Sequence, residues 1–117
     1  PEHQAAFSSG RPALSDVYRH SVSGAPSIAL SVPVQRDGRV RWVLSARLNT
    51  QTLSQLLADQ AVAPGLVAAI LDRRMTLIAR SRDHAAYVGK PATADLRAAA
   101  ADHAKGTAEL STLDGMR

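Results

Sequence analysis

The chain has 117 residues and a mass of 12.4 kDa, the size of one compact module or a piece of two, and too small for a multidomain enzyme. With 45% hydrophobic residues, 21% charged and a net charge of +4, its composition is that of a folded chain, not a disordered or collagenous one. No cysteine is present, which removes disulfides, thiol catalysis, thiolate zinc sites and iron–sulfur clusters together.

The longest mostly apolar stretch, Ala61 to Leu71, is interrupted by Pro64 and Gly65 and is about half of the roughly 20 residues a membrane-spanning helix needs. The opening Pro1-Glu2-His3-Gln4 has neither an initiator Met nor a signal-peptide pattern, and reads as the start of an excised segment. The pI is near 10.3, but the arginines are scattered along the chain. Phe7, Tyr18, Trp42 and Tyr87 form no basic-aromatic repeat, so nucleic-acid binding draws little support.

In chain order, residues 1–26 are rich in Ser, Gly, Pro and Ala, with breaks at Gly10, Pro12, Gly24 and Pro26. They read as a loop or lid around a short helical or extended piece. Strict alternation from Ser27 to Val34 predicts a strand with Ile28, Leu30, Val32 and Val34 on one face. Val40 to Leu48 repeats the pattern, with Val40, Trp42, Leu44, Ala46 and Leu48 together on the apolar face and Trp42 expected in the core. Gln35-Arg36-Asp37-Gly38-Arg39 is hairpin chemistry. Pairing Val34 with Val40 closes a three-residue loop with Gly38 left-handed, and sets Ser27 opposite Arg47, Ala29 opposite Ser45 and Ser31 opposite Val43.

Asn49 or Thr50 caps a helix with Leu53, Leu56 and Leu57 at helical spacing, ending near Gln60. Leu66 to Leu71 and Met75 to Ser81 predict a second hairpin turned by Asp72-Arg73-Arg74. Thr93 caps a helix over Ala94 to Ala104, stopped by Gly106. Thr107 to Leu113 reads as a further strand. Asp114-Gly115 then opens a turn, and a strand without its partner reads as a domain that continues past Arg117.

Catalytic arrangements are absent from the pattern. His3, His20, His84 and His103 lack metal-ligand spacing, no Gly-x-Ser-x-Gly elbow occurs, and Asp37, Asp72 and Asp114 read as turn formers. The informative feature is Arg41 and Arg47 on the small-residue face of the first hairpin, beside Ser27, Ser31 and Ser45. A guanidinium there could grip a carboxylate through two hydrogen bonds with hydroxyls completing the shell, or the face could simply be solvated. Arg80 and Arg82 face the same choice, with their place at a strand end favouring the solvated reading. Tyr18 is either part of an amphipathic lid or a loop aromatic that anchors the chain.

The run from Ser8 to Tyr18, then Ala25 to Val34, the Arg36-Asp37-Gly38-Arg39 turn and Trp42 to Leu48 resemble the Cache (PAS-like) extracytoplasmic sensor domains of bacterial transmembrane receptors. Ala69 to Arg80, Val88-Gly89-Lys90-Pro91, a helix and a strand ending Leu113-Asp114-Gly115 are similar to the start of the membrane-proximal module of a double Cache domain. The resemblance implies an α+β fold: an antiparallel sheet of about five strands flanked by helices. In amino-acid-binding members a Tyr before the first strand and an Asp near the end of the second contact the ligand. Tyr18 matches the first position. The second falls on Arg47, which disfavours a ligand ammonium and admits an anion. Asp72-Arg73-Arg74-Met75 departs from the family's Asp-x-x-Gly turn.

The expectation is therefore a lid over residues 1–26 and a sensor domain over 27–117, either one module or the seam of two near 61–65. It would bind a small organic anion through Tyr18, Ser27, Arg41, Ser45 and Arg47, with no catalytic residue, metal, cofactor or nucleic acid. By the resemblance, it would form the periplasmic part of an inner-membrane receptor, most readily a sensor histidine kinase, as a homodimer reaching the membrane through other parts of that receptor. The alternative is a dimerisation and spacing module that binds no ligand.

Overall fold

The computed structural model describes residues 2–60 and 63–115, so residues 61 and 62 of the expected seam lie outside the described residues. Ten elements follow in order: helix α1 (Glu2–Ser9), strands β1 (Ala13–Leu14), β2 (Tyr18–Arg19), β3 (Pro26–Arg36) and β4 (Arg39–Asn49), helix α2 (Thr50–Asp59), strands β5 (Ala69–Leu71) and β6 (Leu77–Arg80), and helices α3 (His84–Tyr87) and α4 (Ala94–Asp102). One antiparallel sheet has β3 at its centre, with β4 along one edge and the short β1 and β2 sharing the other. β5 and β6 form a separate two-stranded sheet. The fold is α+β, as expected, with the strands divided between two sheets.

The first hairpin keeps the expected faces over most of its length but not the expected register. Its turn is the two residues Asp37 and Gly38, both left-handed at φ 54° and 74°, the type I′ geometry whose twist matches the flanking strands. Ser27 pairs with Asn49, Ala29 with Arg47 and Ser31 with Ser45, two residues along from the expected partners. Val34 pairs with Trp42 and Gln35 with Val40, leaving Arg41 as the extra residue of a β-bulge. The bulge reverses the alternation beyond it, so Val40 shares a face with Gln35 rather than with Trp42.

The apolar face of this hairpin is covered only at one end. Ile28 is buried in a cluster with Val17, Ile78 and Ala79, against which Leu53 and Leu57 of α2 pack. Farther out, Val32, Val34, Trp42 and Leu44 are exposed, Trp42 by 56% and Leu44 by 68%. Trp42 is therefore not a core residue. The opposite face buries Ser27, Ala29 and Ser31, and α1 packs on the hairpin with Ala6 fully enclosed. The radius of gyration, 16.5 Å, exceeds the roughly 13 Å of a compact chain this long, as befits two 11-residue strands reaching past the core.

Helix α2 begins as its sequence predicts, with the Asn49 side chain accepting from the Gln51 N–H. Its buried polar residues fasten it down. Thr50 Oγ1 donates to the Pro26 carbonyl, and Ser54 Oγ accepts the Arg80 N–H while sharing a hydrogen bond with His84 Nδ1. Helix α4 ends at Asp102 and Thr93 makes no side-chain cap bond. The expected strand over Thr107 to Leu113 does not form; those residues run as an irregular strap. The Ser111 N–H of the strap donates to Asp95, and just beyond it the Gly115 N–H closes a turn on the Thr112 carbonyl.

Candidate functional site

The segment before β3 and the turn of the second hairpin are drawn together by one carboxylate. Asp72, expected as a turn former, accepts the Arg74 and Thr76 N–H groups on Oδ1, both at 2.9 Å, and the Val17 N–H on Oδ2 at 3.0 Å. Its buried position costs little because it accepts these three donors. Arg74 Nη2 donates to the Val17 carbonyl, Arg73 Nη2 to the Leu14 carbonyl, and both guanidinium groups face Asp16 across 3.7 and 3.5 Å. On its other side the segment is held to β3, where Ser15 donates to the Ala29 carbonyl and its hydroxyl accepts the Ala29 N–H.

This docking leaves a hollow of about 290 Å³ lined by Val17, Tyr18, Arg19, Pro26, Arg74, Thr76 and Gly89. Arg19 is braced by an Nη1 bond to the Gly24 carbonyl at 3.1 Å. Gly89 has φ +85°, and a Cβ there would lie 3.9 Å from Arg19 Nη2. A left-handed backbone that L residues resist is thus used where the chain passes the arginine. One phenol and two guanidinium groups, with Asp16 as the nearby counter-charge, are suited to a small carboxylate: a guanidinium offers paired N–H donors and the phenol a third.

Of the five expected binding residues, only Tyr18 lines this hollow. Ser27 is its cross-strand partner, with its hydroxyl turned to the Ala25 carbonyl. Ser45 Oγ is hydrogen-bonded to Ser31 Oγ at 2.8 Å. Arg47 is exposed opposite Ala29. Arg41, the bulged residue, lies roughly 25 Å along the hairpin from Tyr18 by strand rise; it lines a separate, shallow hollow with His3, Phe7 and Trp42. The structure therefore does not gather the five at one place. Arg19, Arg74 and Gly89 were not singled out as binding residues. The signal for Arg74 was the Asp72-Arg73-Arg74 run itself, more charge than a plain hairpin turn calls for.

Arg80 also departs from its reading as a solvated strand-end residue, being only 5% exposed. A bulge at Ile78 separates the pairs Ile70–Ala79 and Leu71–Leu77, placing Leu77 and Arg80 on one face with Ala69 and Leu71. There Arg80 Nη2 meets Asp114 at 2.6 Å, Nη1 donates to the Arg82 carbonyl, and the guanidinium lies 4.4 Å from the centre of the Tyr87 ring. Among the described residues no group of three or more His, Asp or Glu could hold a metal, and no helix is long and apolar enough to cross a membrane.

No family model matches the sequence, and neither does any curated protein. Solved structures do. The ligand-binding domain of the Pseudomonas fluorescens chemoreceptor CtaA in complex with L-serine aligns over 78% of this chain at 22% identity and TM-score 0.57; the L-isoleucine complex aligns equally well. The Pseudomonas aeruginosa PAO1 amino-acid chemoreceptor PctC domain in complex with GABA aligns over 76% of the chain at 17% identity and TM-score 0.53. This chain spans 36 to 38% of the length of those domains. The chain carries the fold of Cache-type ligand-binding domains of bacterial chemoreceptors.

Proposed function

We propose that the chain is part of an extracytoplasmic ligand-sensing domain of a bacterial transmembrane receptor, binding a small organic anion. The observation that carries this reading is the convergence of Tyr18, Arg19 and Arg74 on one hollow of about 290 Å³, in a fold shared with domains solved with carboxylate-bearing ligands. A carboxylate would be held by Arg74 and Arg19 with Tyr18 donating. Arg41, Ser45 and Arg47 lie outside this arrangement, and Ser27 supports it by pairing with Tyr18.

The hollow is bounded by the segment before β3 on one side and the second hairpin on the other. A ligand touching both favours the arrangement in which they are docked. The signal it delivers is its differential affinity for two arrangements, typically about 1–3 kcal/mol. In the proposed receptor the domain is periplasmic and dimeric, and its output is carried elsewhere; the sequence resemblance favours a histidine kinase, while the similar solved structures come from chemoreceptors.

A thermal-shift screen with small mono- and dicarboxylates, followed by calorimetric titration, tests the reading. The expected result is a hit whose affinity falls about tenfold or more in Arg74→Ala, equivalent to about 1.4 kcal/mol, and less in Tyr18→Phe, with Arg47→Ala unchanged. No hit across the panel, or binding lost in Arg47→Ala and kept in Arg74→Ala, overturns it.

The second reading, a dimerisation and spacing module that binds no ligand, draws on the exposed Val32, Val34, Trp42 and Leu44 face, which is the kind of patch interfaces use. Its measurement is sedimentation: a dimer that dissociates in Leu44→Arg supports it, and a monomer at all concentrations removes it.

A further inference from the structure

The second hairpin borders another hollow, on the face carrying Leu77 and Arg80. It has a volume of about 580 Å³, and its walls include Leu71, Leu77, Leu96, Leu110 and Leu113. This volume falls in the roughly 300–1,000 Å³ span of small-molecule sites, which are mostly apolar with a few polar groups. Three elements build it. The hairpin supplies Leu71 and Leu77 on one face because of the bulge at Ile78, α4 supplies Leu96, and the strap supplies Leu110 and Leu113.

The charge arrangement narrows what could enter. Arg80 lines the hollow, but its guanidinium is already engaged by Asp114, Asp83, the Arg82 carbonyl and the Tyr87 ring. An anionic ligand would have to displace Asp114 to use that cation. A cation would meet Arg80 itself. Glu109, the other charged lining residue, is exposed and can keep its charge in water. An uncharged ligand disturbs none of these pairings and finds leucines on three sides.

The strap is also a wall that can part. Between Asp102 and Leu113 it has no regular hydrogen-bonded structure, and it is clasped near its end by Asp95 on the Ser111 N–H at 2.8 Å and by Arg80 on Asp114 at 2.6 Å. Displacing such a segment costs fewer backbone hydrogen bonds than displacing a paired strand.

We propose that this hollow is a second binding site, separate from the Tyr18 hollow, for a small, uncharged, predominantly apolar molecule. The two sites occupy different parts of one hairpin: Arg74 and Thr76 of its turn face the first, while Leu71, Leu77 and Arg80 face the second. Occupancy of either bears on the same short element.

The probe is N-phenyl-1-naphthylamine, a neutral apolar fluorophore, titrated into the full 117-residue chain. The site predicts saturable one-to-one binding. Ala69→Phe, which places a ring into the hollow from an exposed lining position, should weaken that binding at least tenfold while circular dichroism stays unchanged; Leu110→Ser, on the strap, should weaken it independently. Leu44→Ser, on the exposed face of the first hairpin, should leave it intact. Binding that never saturates, that survives Ala69→Phe and Leu110→Ser in folded protein, or that vanishes in Leu44→Ser overturns the proposal. So does an Ala69→Phe variant whose change is in self-association, which would give the hollow to a second copy of the chain.

Discussion

The two hairpins divide their labour in an unexpected way. The first is long, closed by favourable turn residues and paired without interruption except for one bulge beside its turn, yet much of its apolar face lies in the open. The second has strands of three and four residues, a bulge, and Met75 held left-handed at φ 59°. Every residue of its β6 strand is buried, and both proposed ligand sites lie against it. Local regularity and structural importance are therefore separate properties. A strand can be specified by alternation and a good turn without being enclosed, whereas a short irregular strand can persist because neighbours surround it on both faces.

The sharpest way to break this comparison is to cut one apolar side chain from each hairpin. Ile78 is 3% exposed and packs with Val17, Ile28 and Ala79, so Ile78→Ala should cost about 2–5 kcal/mol through lost burial and the cavity left behind. Val32, at 37% exposed, already keeps much of its surface in water, and Val32→Ala should cost less than about 1 kcal/mol. Urea unfolding with an unchanged m-value measures both. Equal costs would mean that the outer face of the first hairpin is covered in solution.

The same contrast explains what could be read from the sequence. The first hairpin, its faces, the Asn49 cap and α2 follow from periodicity and capping, which are local. Its register did not follow, because the bulge at Arg41 is a two-against-one pairing that no single-strand pattern displays. Trp42 was misplaced for another reason: alternation reports which residues share a face, not whether anything covers it. The Tyr18 end of the candidate site was accessible through the resemblance. Arg74 and Arg80 were not, since they are placed by contacts over long separations, such as Asp72 to Val17 and Arg80 to Asp114; Arg19 is braced locally by the Gly24 carbonyl, and only the docked second hairpin puts it on the same hollow as Arg74. The strap shows strand-like spacing in Thr107 to Leu113 but lacks a ladder partner among the described residues.

Turn chemistry gives a smaller and more specific test. Gly38 has φ +74° and open space where a Cβ would go, so Gly38→Ala should lose about 1 kcal/mol from conformational strain alone. Met75 stands where the Asp-x-x-Gly pattern would place its glycine and already bears that strain. Met75→Gly relieves it, offset by the greater freedom of glycine in the unfolded chain, and should gain about 0.5 kcal/mol. Opposite signs in thermal unfolding are expected from these exchanges. A loss at Met75 would show that its half-buried side chain matters more to the second hairpin than its backbone does.

The least disruptive test titrates the strap where it joins the second hairpin. The Thr112 hydroxyl and then the Arg80 guanidinium pull the Asp114 carboxyl from 3.8 down to about 2. A carboxyl more acidic in the folded state than in the unfolded chain contributes stability above its unfolded pKa and loses it as pH falls through the interval between the two. Its contribution is therefore whole at pH 5, declines below about pH 4, and is gone only at pH values well below 2, where Asp114 is protonated in both states. Asp95 is lowered in the same direction, chiefly by the Ser111 N–H, so the total acid response of the strap contains both clasps. Asp114→Asn isolates one of them: the variant should have a lower urea midpoint than the parent at pH 5, and the gap should narrow as the pH falls from 4 toward 2 and close below that. A gap that stays constant with pH would mean that the substitution acts through packing and that Tyr87, the Arg82 carbonyl and Asp83 hold Arg80 in the second hairpin without the Asp114 charge.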